Sequence, residues 1–368
     1  MTQTNWMTPE CAALPFEIRR EVEDFEVQEL PLYPATGEGG HLYITIEKTG
    51  LDTARAKRVL AKHFDLDPRT IGHAGQKDAR AVTQQRLSLE GISVEQAMAF
   101  EHSRLRIIDA TLHGHKLRRG HLAGNRFRIL LRDLPEGSKG TVDKVMQLLQ
   151  ERGVPNRYMA QRFGQKGDNA NIGRMLVLGD VQGAREAARG QGHKHWPKAL
   201  RTLMVGAWQA QIFNAVLEAR MGWEGGLQTV CPGDLAIRHE SGGIFLVEEE
   251  ADASRAKDLE ISASGPLPGR RARLPEGAVL ELEEGALAAD GVSNEDLQRT
   301  GPFLSRLGAR RPLRALVSNV STEETPDGLW VVFELPPGAF ATAVIDEVGK
   351  GLGVGWGLSV TPSQGEVQ

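Results

Sequence analysis

Cysteine is almost missing: Cys11 and Cys231 are the only two among 368 residues. Two thiols so far apart cannot staple a small disulfide scaffold or build a cysteine-rich zinc site. Long apolar runs are also missing, since nothing approaches the roughly 18 residues a membrane-spanning helix needs. The stretch from Met1 to Ile18 carries Pro9 and Glu10 where a secretory leader would have a basic end and an apolar run. No charge of one sign dominates: 44 Lys and Arg against 48 Asp and Glu leave a net charge of −4. An anionic partner must then be met by a local patch. These absences lead to the expectation of a reduced, cytoplasmic, metal-free protein with no membrane partner.

Cofactor motifs are absent as well. A P-loop needs widely spaced glycines and a Lys followed by Ser or Thr, whereas Gly72 and Gly75 are close together and Lys77 precedes Asp78. The glycines from Gly351 to Gly357 imitate a dinucleotide fingerprint, but too little chain follows for a strand-helix-strand unit. His113 with His115, and His193 with His195, lack a carboxylate at ligand spacing, and no His-Glu-x-x-His occurs. Neither a nucleotide cofactor, nor a metal, nor any other cofactor is expected.

What is present is unevenly spread. From His102 to Arg128 seven Lys and Arg face one acid, Asp109, whereas from Glu248 to Asp296 thirteen acids face five cations. Two units with different partners are implied. Apolar residues make up 40% of the chain, enough for a sizeable core, and the length suits two or three domains at roughly 150 residues each. Leu42, Ile44 and Ile46 alternate as a half-buried strand does, and Asp52-Thr53 offers caps for a helix carrying Val59, Leu60 and Phe64 on one side. Arg126 to Leu131 and Trp330 to Leu335 also have strand character. Met146 to Leu149 and Val205 to Met221 have helix character. The block 264–286, rich in Gly and Pro, reads as loop. Strands and helices are mixed, giving an α+β or α/β class.

The densest chemical signal runs from Gly72 to Thr83. Its two glycines would allow a non-standard turn where backbone approaches a ligand. Lys77 and Arg80 flank Asp78 and favour its ionised form, a nucleophile or base. The same aspartate could equally cap the following segment or pair with Arg80. A second stretch, Lys116 to Phe127, sets Lys116, Arg118 and Arg119 ahead of Asn125 and Phe127. Cations neutralise phosphates, an amide can bond a base edge and a ring can stack on a base. A solvated basic loop leading into a strand with Phe127 in the core would have the same composition.

Taken in order, Glu23-Asp24-Phe25 with Val27, the Gly72–Thr83 loop, Lys116–Phe127, Gly153–Asn156 with Gln161–Gly164, and Leu335–Val344 resemble the D family of tRNA pseudouridine synthases. Weaker matches are Trp208–Arg220 and Gly233-Asp234; His73 stands where an aromatic is common, and 240–310 matches loosely. The resemblance implies an α+β fold in which a mixed catalytic domain is interrupted by an inserted α/β domain: 1–154 and 309–368 catalytic, 155–308 inserted. It implies an isomerase that turns uridine, most simply uridine-13 of tRNA, into pseudouridine, acting as a monomer. Asp78 would be the nucleophile, and Phe25, Asn125, Phe127 and Phe340 would line the uridine pocket. Lys77, Arg80, Lys116, Arg118 and Arg119 would hold RNA. The alternative is a non-catalytic RNA-binding protein on the same scaffold.

Overall fold

The computed structural model describes residues 5–77, 79–164, 166–193, 195–249, 252–299, 308–352 and 354–356. Asp78, the expected nucleophile, lies outside them. The chain divides into two compact units, one built from Glu10–Gln150, Val317–Ala341 and Ile345–Gln368, the other from Met1–Pro9, Glu151–Leu316 and Thr342–Val344.

Alternating apolar residues give the first unit an eight-stranded sheet. Its strands are β1 (Phe25–Pro31), β2 (His41–Thr49), β3 (Gly72–His73), β4 (Val82–Glu90), β5 (Leu105–His113), β6 (Leu122–Leu131), β7 (Ser318–Thr325) and β8 (Gly328–Leu335). They lie in the order β7-β8-β6-β1-β4-β2-β5, with β3 alongside β4. All pairs are antiparallel except β1 with β4. That parallel pair is short, running from Glu26↔Val82 to Gln28↔Gln84. Beyond it β3 becomes the neighbour of β4, at Leu87 and Ser88, while β1 continues only along β6. The sheet therefore forks between β1 and β4.

Helix α1 (Thr53–Phe64) covers the β2–β4 side. Asp52 is its cap, accepting from the Arg55 N–H at 2.6 Å. Leu60 and Ala56 pack with Ile44, Ile46, Leu87 and Ile107 in one cluster; a leucine so buried contributes about 1.5–3 kcal/mol. Val59 and Phe64 are only partly buried beside it. The loop glycines differ from expectation: neither Gly72 nor Gly75 has a positive φ. At Gly72 a Cβ would collide with Ser88 and the Leu117 carbonyl, so the requirement is close packing rather than an unusual turn.

The second unit is organised on the helix Lys198–Met221, whose Met204, Trp208, Ile212, Phe213 and Leu217 are all buried. The helix Asn169–Val177 crosses it so closely that a Cβ on Gly173 would lie 2.9 Å from Trp208 Cβ. A four-stranded sheet joins Ile244–Leu246, Leu235–Arg238, Ile261–Leu267 and Ala309–Pro312 in that order. The block 264–286 is thus not loop throughout, because it contains the end of one strand and most of the helix Gly277–Ala289. Pro266 is tolerated because from Ser264 onward the strand is paired on one side only, with Ala309–Pro312, so the missing N–H leaves no acceptor unmet. Gly265 is required there by the Phe213 ring, 3.0 Å from any Cβ.

Among the described residues, two ion pairs are buried in this unit. Arg310 grips Glu283 through both carboxylate oxygens, at 2.8 and 2.6 Å. Burial pushes Glu283 up, against the opposing pull of Arg310. Arg220 meets Asp234 at 2.9 Å with both side chains 2% exposed, and the Cys231 N–H also donates to that carboxylate. Replacing Arg220 by Met leaves a buried carboxylate unpaired. The expected loss is about 3–5 kcal/mol of unfolding free energy, read by urea denaturation, with much of it restored when Asp234→Asn is added.

Candidate active site

Two residues apart on β6, Asn125 and Phe127 face the same side of the sheet, opposite Glu29 and Val27 of β1 and Leu335 and Phe333 of β8. Phe25 begins β1 and shares that face. Its ring meets Phe127 edge-on at 6.3 Å, and Phe127 stacks on Phe333 at 5.5 Å. Phe25 and Phe127 are both buried, and the Arg19 guanidinium lies 3.8 Å above the Phe25 ring. Arg19 adopts a left-handed backbone, φ +58°, to reach it.

The start of β1 is fixed by Asp24. Its carboxylate takes two hydrogen bonds from Arg132, at 2.9 and 2.7 Å, and one from the Glu21 N–H at 2.9 Å. Burial opposes ionisation of Asp24 more strongly than any one partner favours it, but the hydrogen bonds and charge of Arg132, together with the backbone hydrogen bonds of Glu21 and Arg20, outweigh it and hold the carboxyl below its usual range. Arg132 follows directly on β6, so this ion pair sets the register that brings Phe25 beside Phe127.

At the fork between β1 and β4 lies Lys77, inside the protein rather than on it. Its ammonium, 6% exposed, is 3.1 Å from Glu29 Oε2 and donates to Asn125 Oδ1 at 2.6 Å. Glu29 Oε1 accepts from the Arg86 N–H at 3.1 Å, replacing the ladder bond that ends where β4 leaves β1. The Lys77 N–H donates to Thr53 Oγ1, which in turn donates to Gln85 Oε1. Lys77 was expected to hold RNA; the structure aims it inward, at two protein side chains. The sequence marks Thr53 only as a helix-cap candidate and singles out neither Glu29 nor Gln85. Of those two, Glu29 alone left a trace there, an acid on the apolar side of a strand, two and four residues from Val27 and Phe25.

The remaining expected residues are placed less tightly. Phe340 is half-buried at the head of the helix Ala341–Gly349, reached by a short turn from Leu335, the partner of Asn125. Arg80 and Lys116 are half-buried, and Arg118 and Arg119 are exposed. A further cation joins them: Lys57 of α1 is held below the usual lysine range by burial and by the charges of Lys116 and Arg119. His73 is pushed down by burial, then by Lys57 and Arg119. A basic surface thus flanks the loop that leads to Asp78. Among the described residues no group of three or more His, Cys, Asp or Glu is placed to hold a metal ion, and no helix is long and apolar enough to cross a membrane.

Comparison with known proteins gives a consistent result. The family model described as tRNA pseudouridine synthase D matches residues 3–195 and 185–348. The tRNA pseudouridine synthase D of Geobacter metallireducens is 37% identical over 91% of this chain and 95% of its own, and that of Thermus thermophilus 39% identical over 94% and 92%. A crystal structure of a tRNA pseudouridine synthase D candidate from Methanosarcina mazei shares the fold, with a TM-score of 0.75 at 23% identity, covering 94% of this chain and 95% of its own.

The Asp24 ion pair has a pH signature. Because folding lowers the pKa of Asp24, its contribution is fully present above the unfolded carboxyl value of about 3.9 and is lost as pH falls through the folded one. Asp24→Asn should therefore be less stable than the parent at pH 7. The difference should close as the pH drops below about 4, as followed by urea denaturation across a pH series.

Proposed function

The chain belongs to the tRNA pseudouridine synthase D family, an isomerase family, and from that membership we propose that it converts uridine-13 of tRNA to pseudouridine with Asp78 as nucleophile. The observation that carries the reading is the gathering of Phe25, Asn125 and Phe127 on one sheet face, beside the Lys77 that precedes Asp78 in the chain. The reaction breaks the N1–C1′ glycosidic bond and forms a C5–C1′ bond to the same uracil, with the C5 proton leaving and N1 taking one up. The product is an isomer of the substrate, so the proposal includes no cofactor. A carboxylate suits it, since it can add to the nucleoside and depart again. The target must leave its stack, at a cost of a few kcal/mol, and the proposed pocket of Phe25, Asn125, Phe127 and Phe340 offers apolar walls and one amide in exchange. Arg80, Lys116, Arg118 and Arg119, with Lys57 beside them, would hold the phosphates. The catalytic part would be 1–154 with 309–368, and 155–308 an insert, a division supported by the compact unit spanning Glu151–Leu316. We propose action as a monomer in the cytoplasm.

The test uses unmodified tRNA transcript and carbodiimide-dependent primer extension. The parent enzyme should give a new stop at uridine-13 alone, and Asp78→Asn none, with RNA affinity nearly unchanged. Binding without a stop would favour a non-catalytic RNA-binding protein. A stop that persists in Asp78→Asn would remove the nucleophile assignment. Arg118→Ala with Arg119→Ala should flatten the slope of log affinity against log salt by about one unit for each phosphate no longer neutralised.

A further inference from the structure

The hydrogen bond between Lys77 and Asn125 decides which way the Asn125 amide points. A lysine ammonium has three donors and no acceptor, so the Asn125 atom 2.6 Å from it must be the oxygen. Turning the amide over would set NH2 against NH3+ and forfeit a charge-assisted bond. Lys77 cannot swing away either: its side chain is 6% exposed, and Glu29, 2% exposed, holds it from the other side while itself fixed by the Arg86 N–H. The Asn125 oxygen is thus committed inward. Its Nδ2 donates to no described residue, yet it is not among the buried unpartnered atoms, and Asn125 itself is only half-buried. The group left facing outward is a donor.

We propose that Lys77, locked by Glu29, is a positioning residue that fixes Asn125 as a hydrogen-bond donor toward a carbonyl oxygen of the target pyrimidine. Uracil offers two such oxygens flanking an N–H. Cytosine keeps O2 but carries an exocyclic amine in place of O4, so a fixed donor facing the O4 position turns it away. The same amide free to flip would accept from the uracil N–H or from that amine, and would discriminate little. Specificity at this edge therefore originates in the buried Glu29–Lys77 pair, which does not touch the base. This inference rests on the assignment of Asn125 to the uridine pocket.

Two comparisons test it, both scored as kcat/KM for pseudouridine formation in tRNA. In the first, Asn125→Asp keeps the shape and the bond from Lys77 but replaces the outward donor by an acceptor. It should lose activity at least as severely as Asn125→Ala, about tenfold or more. Asn125→Asp with near-parental activity overturns the proposal, because the base would then be donating to residue 125. In the second, Lys77→Met should cost about tenfold in the parent but less than about twofold when Asn125 is already Ala. A cost that persists in full in the Asn125→Ala background overturns the proposal, since Lys77 would then be acting on Asp78 or on the fold. If Lys77→Met does not fold, Lys77→Met with Glu29→Gln removes both charges together, and the Asn125 comparison stands without either. A parent enzyme that forms no pseudouridine in tRNA overturns the preceding reading and this one with it. An active parent with an active Asn125→Asp overturns this one alone.

Discussion

An ammonium group taken out of water costs several kcal/mol unless it is paired and hydrogen-bonded. Lys77 is such a group, and its demands organise the sheet unit. Glu29 must stand within reach, which is possible only because β1 and β4 separate after Gln28↔Gln84 and leave the Arg86 N–H in need of an acceptor. Asn125 must turn its oxygen toward the same point. The Lys77 backbone must lie against Thr53 at the first turn of α1, where the hydroxyl is shared with Gln85. One side chain and its peptide thus connect β1, β4, β6, α1 and the loop that leads to Asp78. Where a continuous ladder would have run, the fork substitutes side-chain bonds and so places polar groups on an otherwise apolar face.

Much of this was legible in the sequence wherever the signal was local. Asn125 and Phe127 are two apart, so a strand puts them on one face; Asp52 precedes an amphipathic helix and caps it. Lys77 was not legible as a buried residue. A Lys-Asp-Ala-Arg run has the composition of a solvated turn, and the partners that bury its first member lie 48 residues away on either side, at Glu29 and Asn125. The roles of Thr53 and Gln85 were hidden for the same reason: they exist only once β4 and α1 are packed. Gly72 was flagged for the wrong property, since what it supplies is the space that Ser88 and Leu117 occupy rather than an unusual backbone angle.

The unit that contains Glu151–Leu316 shows the same limit of composition. Counting acids between Glu248 and Asp296 suggests a surface of one sign, yet several of those carboxylates are engaged by partners. Glu283 is gripped by Arg310, and Asp290 accepts from Trp208 and Gln211. Arg314 is buried without a carboxylate partner among the described residues; Ser262 and the carbonyls of Arg152 and Ile261 satisfy it, and burial brings it down to about 10. The turn-rich block misled because a half-paired strand tolerates Pro266 and a crowded ring selects Gly265. A sequence window contains neither condition.

The pairing of β8 with β6 has a consequence for how the chain is made. Leu131 is partnered in the sheet by Leu329, which follows it by 198 residues in the chain (329 less 131). At roughly 5–20 residues per second on the ribosome, β6 waits about 10–40 s for its second neighbour. Through that interval the strand that carries Asn125 and Phe127 is an open edge, with unpaired amides on one side and two aromatic rings, Phe25 and Phe127, on the face beside it. The intervening unit, by contrast, has emerged almost in full before β8 exists. Synthesis order thus leaves the edge of β6 unfinished and adhesive until β8 has been made.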